Sequence, residues 1–325
     1  MRDLAAWIVF FVMQILFIPL AIAGIALSMY AQTVVSKKRG VSGTALNVAA
    51  ERSLMDRFGI REDRAAGQLV KALSNLSMIG GWLILFPWQL RYKISGKRSG
   101  YPALSTPGQE TVANMVADRT LIIDRLIAKL RDQVAQFVSL GAGYDTRCYG
   151  SLKGGKLRFY ELDQAATQRL KRESLQKAGI DASHVHFVEV DFSIDTWAEA
   201  LLESGYDPGL PTLFLWEGVT LYLSEEAVRK TLRAIQSVAA QGSILVCDFY
   251  AASFVSGQYS RRGRMVGQSA SLSGEGLGFG LDFADDYRGA LVSFLASEGL
   301  VAGDMHFLGA NTKAGVFMAV AEIML

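Results

Sequence analysis

The pattern of apolar and polar positions divides the chain into an apolar beginning and a long alternating body. From Leu4 to Ala31 the only clearly polar side chains are Gln14 and Ser28. A helix over this run is about 40 Å long at about 1.5 Å per residue, against a hydrocarbon core of about 30 Å. That length predicts a helix able to cross a membrane with some tilt, and Pro19 kinks such a helix without preventing it. A second apolar run, Met78 to Leu90, is too short to span comfortably. It carries Trp82 and Trp88 and is followed by Arg91, Lys93, Lys97 and Arg98. Tryptophans with basic residues suit a headgroup interface or an apolar substrate mouth, and a core helix of an N-terminal cap fits equally.

From residue 110 strand and helix patterns alternate. Thr111 to Arg131 reads as a helix, with Val112, Met115, Ile122, Ile123, Leu126 and Leu130 at helical spacing. Arg119 falls inside that stripe, where a buried charge needs a partner. Strands are predicted at Gln136–Leu140, Leu157–Leu162, Val185–Val190, Thr212–Trp216 and Ser243–Phe249. Helices are predicted between them at Gln164–Ala178, at Thr196–Glu203 and after Ser224, which is placed to cap with Glu225 and Glu226 in the first turn. Ala251 to Phe283, rich in Gly and Ser, reads as a loose segment. A helix over Asp285–Ser297 precedes two strands, Val301–Leu308 and Gly315–Ile323, joined without a helix and so antiparallel. The expected fold is α/β: a doubly wound, seven-stranded, mostly parallel sheet with an N-terminal helical cap and a transmembrane helix. Three regions are expected: an anchor with a basic flank (1–40), a cap or substrate region (41–110) and a ligand-binding domain (111–325).

Charge and composition narrow the function. Half the residues are apolar and the net charge is only +2, so nucleic acid is not an expected partner. Two cysteines, Cys148 and Cys247, form neither a disulfide framework nor a metal motif, and three histidines limit any mechanism needing a histidine base. A cleaved signal peptide is disfavoured, because Arg2 is offset by Asp3 and the apolar run is too long. Lys37, Lys38 and Arg39 follow the run, which places the body on the cytoplasmic side.

In an open α/β sheet ligands bind beyond the carboxyl ends of the strands, and four predicted ends carry informative residues. The first is Gly141-Ala142-Gly143, where backbone can approach a ligand closely. Thr146 stands where a dinucleotide cradle has its third glycine. The second is Glu161-Leu162-Asp163, whose Asp163 is placed to accept from ribose hydroxyls or to cap the next helix. The third is Asp191-Phe192, either an adenine contact or a plain turn with a core ring. The fourth runs from Trp216-Glu217-Gly218 to Tyr222, with Glu217 suited to a ligand ammonium and Tyr222 to a substrate. Together Arg119, Asp163, Asp191 and Glu217 match the carboxylate, ribose, adenine and ammonium of S-adenosylmethionine.

The runs R-T-L-I-I-D (119–124), F-V-S-L-G-A-G-Y-D-T-R (137–147), Y-E-L-D-Q (160–164) and W-E-G-V-T-L-Y-L (216–223) resemble the leucine carboxyl methyltransferase family, in particular its bacterial polyketide-type O-methyltransferase branch. The resemblance covers roughly Thr44 to Ile323. It implies a class I methyltransferase fold using S-adenosylmethionine. By this resemblance Arg119 is the arginine for the methionine carboxylate, and Gly141 and Gly143 form the glycine turn. Asp163 is the ribose ligand, Asp191 and Phe192 are the adenine pair, and Glu217 is the glutamate after the fourth strand. Phe192 replaces a usual leucine and Thr220 fills a usually apolar slot. Tyr222 and His306 are the side chains available as catalytic groups, with a core histidine the plainer reading of His306. The expected function is O-methylation of a carboxylate, or of a hydroxyl, on a small apolar or lipid-like molecule by a membrane-anchored enzyme. A nicotinamide-dependent oxidoreductase and an inactive membrane scaffold are the alternatives.

Overall fold

The computed structural model describes residues 2–97, 104–192, 197–272 and 275–325. Two residues named above, Arg98 and Thr196, lie outside them. The chain opens with α1 (Arg2–Tyr30), which passes through a single π turn (Ala31–Val35) into α2 (Ser36–Arg39). Gly40, at φ 64°, stops the helix in the left-handed region that favours glycine. By length and composition this helix can cross a membrane. Three capped helices follow. They are α3 (Gly43–Arg57) behind Ser42, α4 (Arg64–Ala72) behind Asp63, and α5 (Met78–Ser95) behind Ser77. Each cap side chain accepts a backbone N–H of the first turn. α5 contains the second apolar run, and its partner is α1. Phe10 meets Trp88 at 4.4 Å between ring centroids, and Phe17 stacks on Phe86 at 4.9 Å.

The body starts with α6 (Met115–Leu130), shorter than its apolar pattern because residues 112–114 form a turn. Then come β1 (Gln136–Leu140), β2 (Arg158–Asp163), α7 (Ala165–Lys177), β3 (Val185–Glu189), α8 (Trp197–Glu203), β4 (Thr212–Trp216), α9 (Glu225–Val238) and β5 (Ile244–Tyr250). The strands lie in the order β3-β2-β1-β4-β5, all parallel. The closing pair, β6 (Val301–Leu308) and β7 (Met318–Met324), adds an antiparallel end, with β7 inserted between β5 and β6. The sheet is therefore the doubly wound, seven-stranded, mostly parallel one expected. β1, β4 and β5 are buried along their whole length, as a sheet covered on both faces requires. Residues of α3, α4 and α6 share one apolar core with the sheet.

One expectation needs correcting. The segment expected to be loose, Ala251–Phe283, contains α10 (Ala252–Val255) and α11 (Arg261–Leu272); a further helix, α12 (Tyr287–Ser297), follows it. α11 holds Gly263 and Gly267, each costing a helix about 1 kcal/mol relative to alanine. Local propensity therefore hides it. Its packing explains it: a Cβ on Gly263 would lie 3.4 Å from Phe254, and Ala270 is buried.

Candidate functional site

β1 neighbours both β2 and β4, so the chain reverses direction across the sheet at β1 and opens a crevice at its carboxyl end. The glycine turn lies at this crevice. Gly141 has φ 67°, and a Cβ there would lie 2.5 Å from Val219 Cγ2, so both conformation and space demand glycine. Gly143 has φ 46° and donates its N–H to Asp163 Oδ2 at 2.6 Å. Asp163 Oδ1 accepts from Gln164 N, the cap-like contact, so the helix-start and rim positions coincide. Burial pushes the Asp163 carboxyl up, against the pull of these two N–H donors.

Strand ends are tied to one another around this point. Ala142 N donates to Leu162 O, and Val190 N donates to Asp163 O at 2.9 Å. Asp191 therefore leaves β3 beside Asp163. Asp191 is exposed, and Phe192 is half-buried with its ring 6.0 Å from Trp197.

Glu217 and Arg119 meet deeper in the crevice. Arg119 is buried as the apolar stripe required, and its partners are Glu217 (3.0 Å), Asp248 (3.0 Å) and the Tyr250 hydroxyl (2.6 Å). Burial opposes its charge, and Tyr250, Glu217 and Asp248 outweigh burial to raise its pKa. Glu217 accepts from three guanidiniums. Arg52 Nη2 lies 2.7 Å from both carboxylate oxygens, Arg147 Nη1 2.7 Å from Oε2, and Arg119 Nε 3.0 Å from Oε1. Burial pushes the Glu217 carboxyl up, but Arg52, Arg147 and Arg119 hold it well below the usual range. Asp145 binds Arg52 at 2.9 Å and also Arg147, and is held low by the same two charges. Asp248, wholly buried, is pushed up to about 6 by burial despite Arg119. Arg147 Nη2 is buried without a hydrogen-bond partner among the described residues.

Sequence reasoning missed Arg52, Asp145, Arg147 and Asp248. Arg52 follows Leu46 and Ala49 on the buried face of α3, the same signal that picked out Arg119. Asp248 is a lone acid inside an apolar strand. Asp145 and Arg147 stand in the quoted glycine motif. Thr220, in its unusual slot, donates its hydroxyl to Asp248 O at 2.8 Å, which satisfies it in a wholly buried position.

Tyr222 sits at the rim of this cluster, facing Thr44 and Glu275. Thr44 Oγ1 donates to Glu275 Oε2 at 2.7 Å. Burial pushes the Tyr222 hydroxyl up to about 12. His306 is not brought to this place. It lies on the edge strand β6, four strands from β1, or roughly 19 Å at about 4.8 Å per strand. Its charged surroundings are Arg125, Asp304, Lys129 and Glu322, and burial lowers its pKa.

Residues 43–236 match the leucine carboxyl methyltransferase family. The chain belongs to that family. A candidate S-adenosyl-L-methionine-dependent methyltransferase of Mycobacteroides abscessus is 34% identical over 219 residues, 64% of this chain and 65% of that protein. Another from Mycolicibacterium paratuberculosis is 27% identical over 287 residues, 87% of this chain and 83% of that protein. The chain thus spans just under two thirds of the length of the first relative. The crystal structure of a candidate methyltransferase from Thermobifida fusca has the same fold, with a TM-score of 0.50 at 14% identity over 79% of this chain and 93% of that one.

Proposed function

We propose that this member of the family is an S-adenosylmethionine-dependent methyltransferase that methylates an oxygen of a small apolar or lipid-like acceptor at a membrane. The observation that carries the reading is the joint placement of the Gly143–Asp163 hydrogen bond, Asp191 and the Arg119 cluster around one crevice. The residues present suit the cofactor. Gly141 keeps the left-handed turn that presents the backbone at the rim, and the buried Arg147 Nη2, without a partner among the described residues, is a spare cationic donor that shares Glu217 with Arg119. When bound, S-adenosylmethionine supplies a methyl group on a sulfonium, whose departure as a neutral thioether drives transfer.

In this reading Asp163 accepts from the ribose hydroxyls, Asp191 accepts from the adenine amino group, and Phe192 lines the base. Arg119 and Arg147 hold the carboxylate. Glu217, expected to take the ammonium, has both oxygens engaged by arginines. We assign it the task of fixing those guanidiniums, which pre-organises the charge that meets the cofactor. The enzyme then acts by aligning an acceptor oxygen with the methyl group and excluding water. Tyr222 stays protonated near neutral pH and donates a hydrogen bond to orient the acceptor. His306 has no part in this.

A carboxylate acceptor is ionised at pH 7 and needs no base. The Glu275 carboxylate beside Tyr222 and Thr44 favours a second reading, a hydroxyl acceptor whose proton Glu275 removes. A rate independent of pH from 6 to 9 supports the carboxylate, and a rate following one base supports the hydroxyl. A nicotinamide-dependent oxidoreductase is less consistent, because Thr146, at the third-glycine position, donates to Asp63 at 2.7 Å in a buried contact. The presence of Asp163, Asp191 and Glu217 together with Gly141 and Gly143 weighs against an inactive scaffold.

Membrane attachment through α1, with the body on the cytoplasmic side beside Lys37, Lys38 and Arg39, is part of the proposal. Calorimetry on the folded chain tests the core of it. Heat of binding with S-adenosylmethionine or its demethylated product is expected. No heat with either would remove the reading.

A further inference from the structure

Both ends of the α1–α5 pair are fastened to the body, which bears on how the chain meets a membrane. The two helices run antiparallel. At one end Gly24 and Gly80 approach so closely that a Cβ on Gly80 would lie 2.6 Å from Ser28 Oγ. At the other, the Arg91 guanidinium stacks 3.9 Å above the Trp7 ring and reaches Asp3 Oδ1 at 3.2 Å, while Lys97 lies 3.7 Å from Asp3. The α1 seam runs through Asp3, Trp7, Phe10, Phe17, Gly24 and Ser28, all buried or half-buried at the alternating spacing of a helix pair.

The segment leading into α5 and the last turns of α5 both touch the body. Before its start, Asn75 Nδ2 donates to Ser36 Oγ at 3.0 Å and approaches the Tyr144 hydroxyl, next to the glycine turn. Near its end, the Tyr92 ring meets Phe58, the buried residue that closes α3, at 5.2 Å. The connection onward agrees. Lys97 and Leu104 are seven residues apart, hence at most about 25 Å, and Ser105 N is bonded to Asp118 on α6. The first residues of α1 therefore lie beside the body. A crossing helix would put them beyond a hydrocarbon core of about 30 Å.

The outward face nevertheless asks for lipid. Leu4, Ile15 and Ile22 on α1 and Ile79 on α5 are each more than 60% exposed. A contiguous apolar surface of this kind is not left to water. It is bounded by exposed cations at both ends, Arg2, Lys93 and Lys97 at one and Lys37, Lys38 and Arg39 at the other. Two basic ends flanking an apolar strip complement the anionic headgroups and acyl interior of one leaflet.

We propose that α1 and α5 enter a single leaflet lengthwise, so that the protein is monotopic and its N-terminus stays on the same side as the catalytic body. This rests on the membrane attachment proposed above and is independent of the cofactor reading. The lipid-facing pair would then hold the Asn75–Tyr144 contact, and with it the glycine turn, next to the membrane surface.

Sidedness of labelling decides it. Native Cys148 and Cys247 are buried, so they contribute little background to a thiol probe. The full chain carrying Arg2→Cys or Lys313→Cys, both exposed positions, is expressed in bacterial cells, and an impermeant maleimide is applied to spheroplasts and to inverted membrane vesicles. The expected result is that both variants sediment with membranes and label together in inverted vesicles, with neither labelled in spheroplasts. Labelling of Arg2→Cys from the spheroplast side, with Lys313→Cys labelled only in inverted vesicles, would show a crossing helix and overturn the proposal. Recovery of the chain in the soluble fraction, as monomer or dimer, would overturn it through loss of attachment. Calorimetric binding of S-adenosylmethionine, measured on the same preparations, keeps the cofactor reading separate from either failure.

Discussion

Arg52 places one guanidinium nitrogen 2.7 Å from both oxygens of Glu217, joining α3 to the loop after β4 across 165 residues of sequence. Both side chains are nearly inaccessible to water. Removing one partner of such a pair leaves a buried charge and costs about 3–5 kcal/mol. Arg52→Ala is expected to lower unfolding free energy in urea by an amount in that range. It should also weaken S-adenosylmethionine binding, because Arg119 and Arg147 lose the geometry that Glu217 imposes. Equal stability of the variant and the parent would contradict the role given to this pair.

Asp163 and the glycine turn should separate binding from folding. A hydrogen bond to a charged group contributes about 1.5–3 kcal/mol, so Asp163→Ala should lower cofactor affinity roughly 10- to 150-fold by calorimetry. Its far-ultraviolet circular dichroism should match the parent.

Gly141 is constrained twice over. Its left-handed conformation costs an L-residue roughly 1–2 kcal/mol, and the Val219 methyl leaves no room for a Cβ. Gly141→Ala should destabilise the fold and weaken binding. Adding Val219→Ala should recover the steric part and leave the conformational part. No recovery in the double variant would mean that space is not limiting there.

Tyr222 titrates only at about 12. Tyr222→Phe should therefore lower the rate without moving any inflection of the rate–pH profile below pH 10. Disappearance of an inflection near neutrality would instead make Tyr222 a base.

Asp248 links stability to pH. Its folded pKa of about 6 lies above its ordinary value of about 3.8. The native state thus holds a proton that the unfolded chain releases. This contribution is complete below about pH 4 and is lost as pH rises through about 6. In Asp248→Asn it is absent, so the variant should gain on the parent between pH 4 and 7, by an amount on the order of 2–3 kcal/mol. Parallel stability curves would refute the assignment.

Much of the arrangement was legible in residue order. The glycine turn had to follow an apolar strand, Asp163 had to end the next, and Arg119 had to find an anion because it interrupts a buried stripe. Arg52 obeys the same rule, but its partners Glu217 and Asp145 lie far along the chain, so nothing local names them. α11 was hidden because its glycines contradict the helix that packing imposes. His306 could not be discounted from sequence, because only strand order shows how many strands separate it from the crevice.

Periodicity and strand-end chemistry are local properties, and they suffice for the alternating architecture, the antiparallel closing pair and the acidic rim. The pairing of charges and the partnering of α1 with α5 are contacts between distant segments. Their energies depend on burial and on distances of a few ångströms, which arise only when the whole core has closed. The arginine clasp on Glu217 and the return of the α1 N-terminus to the body were therefore decided by tertiary structure.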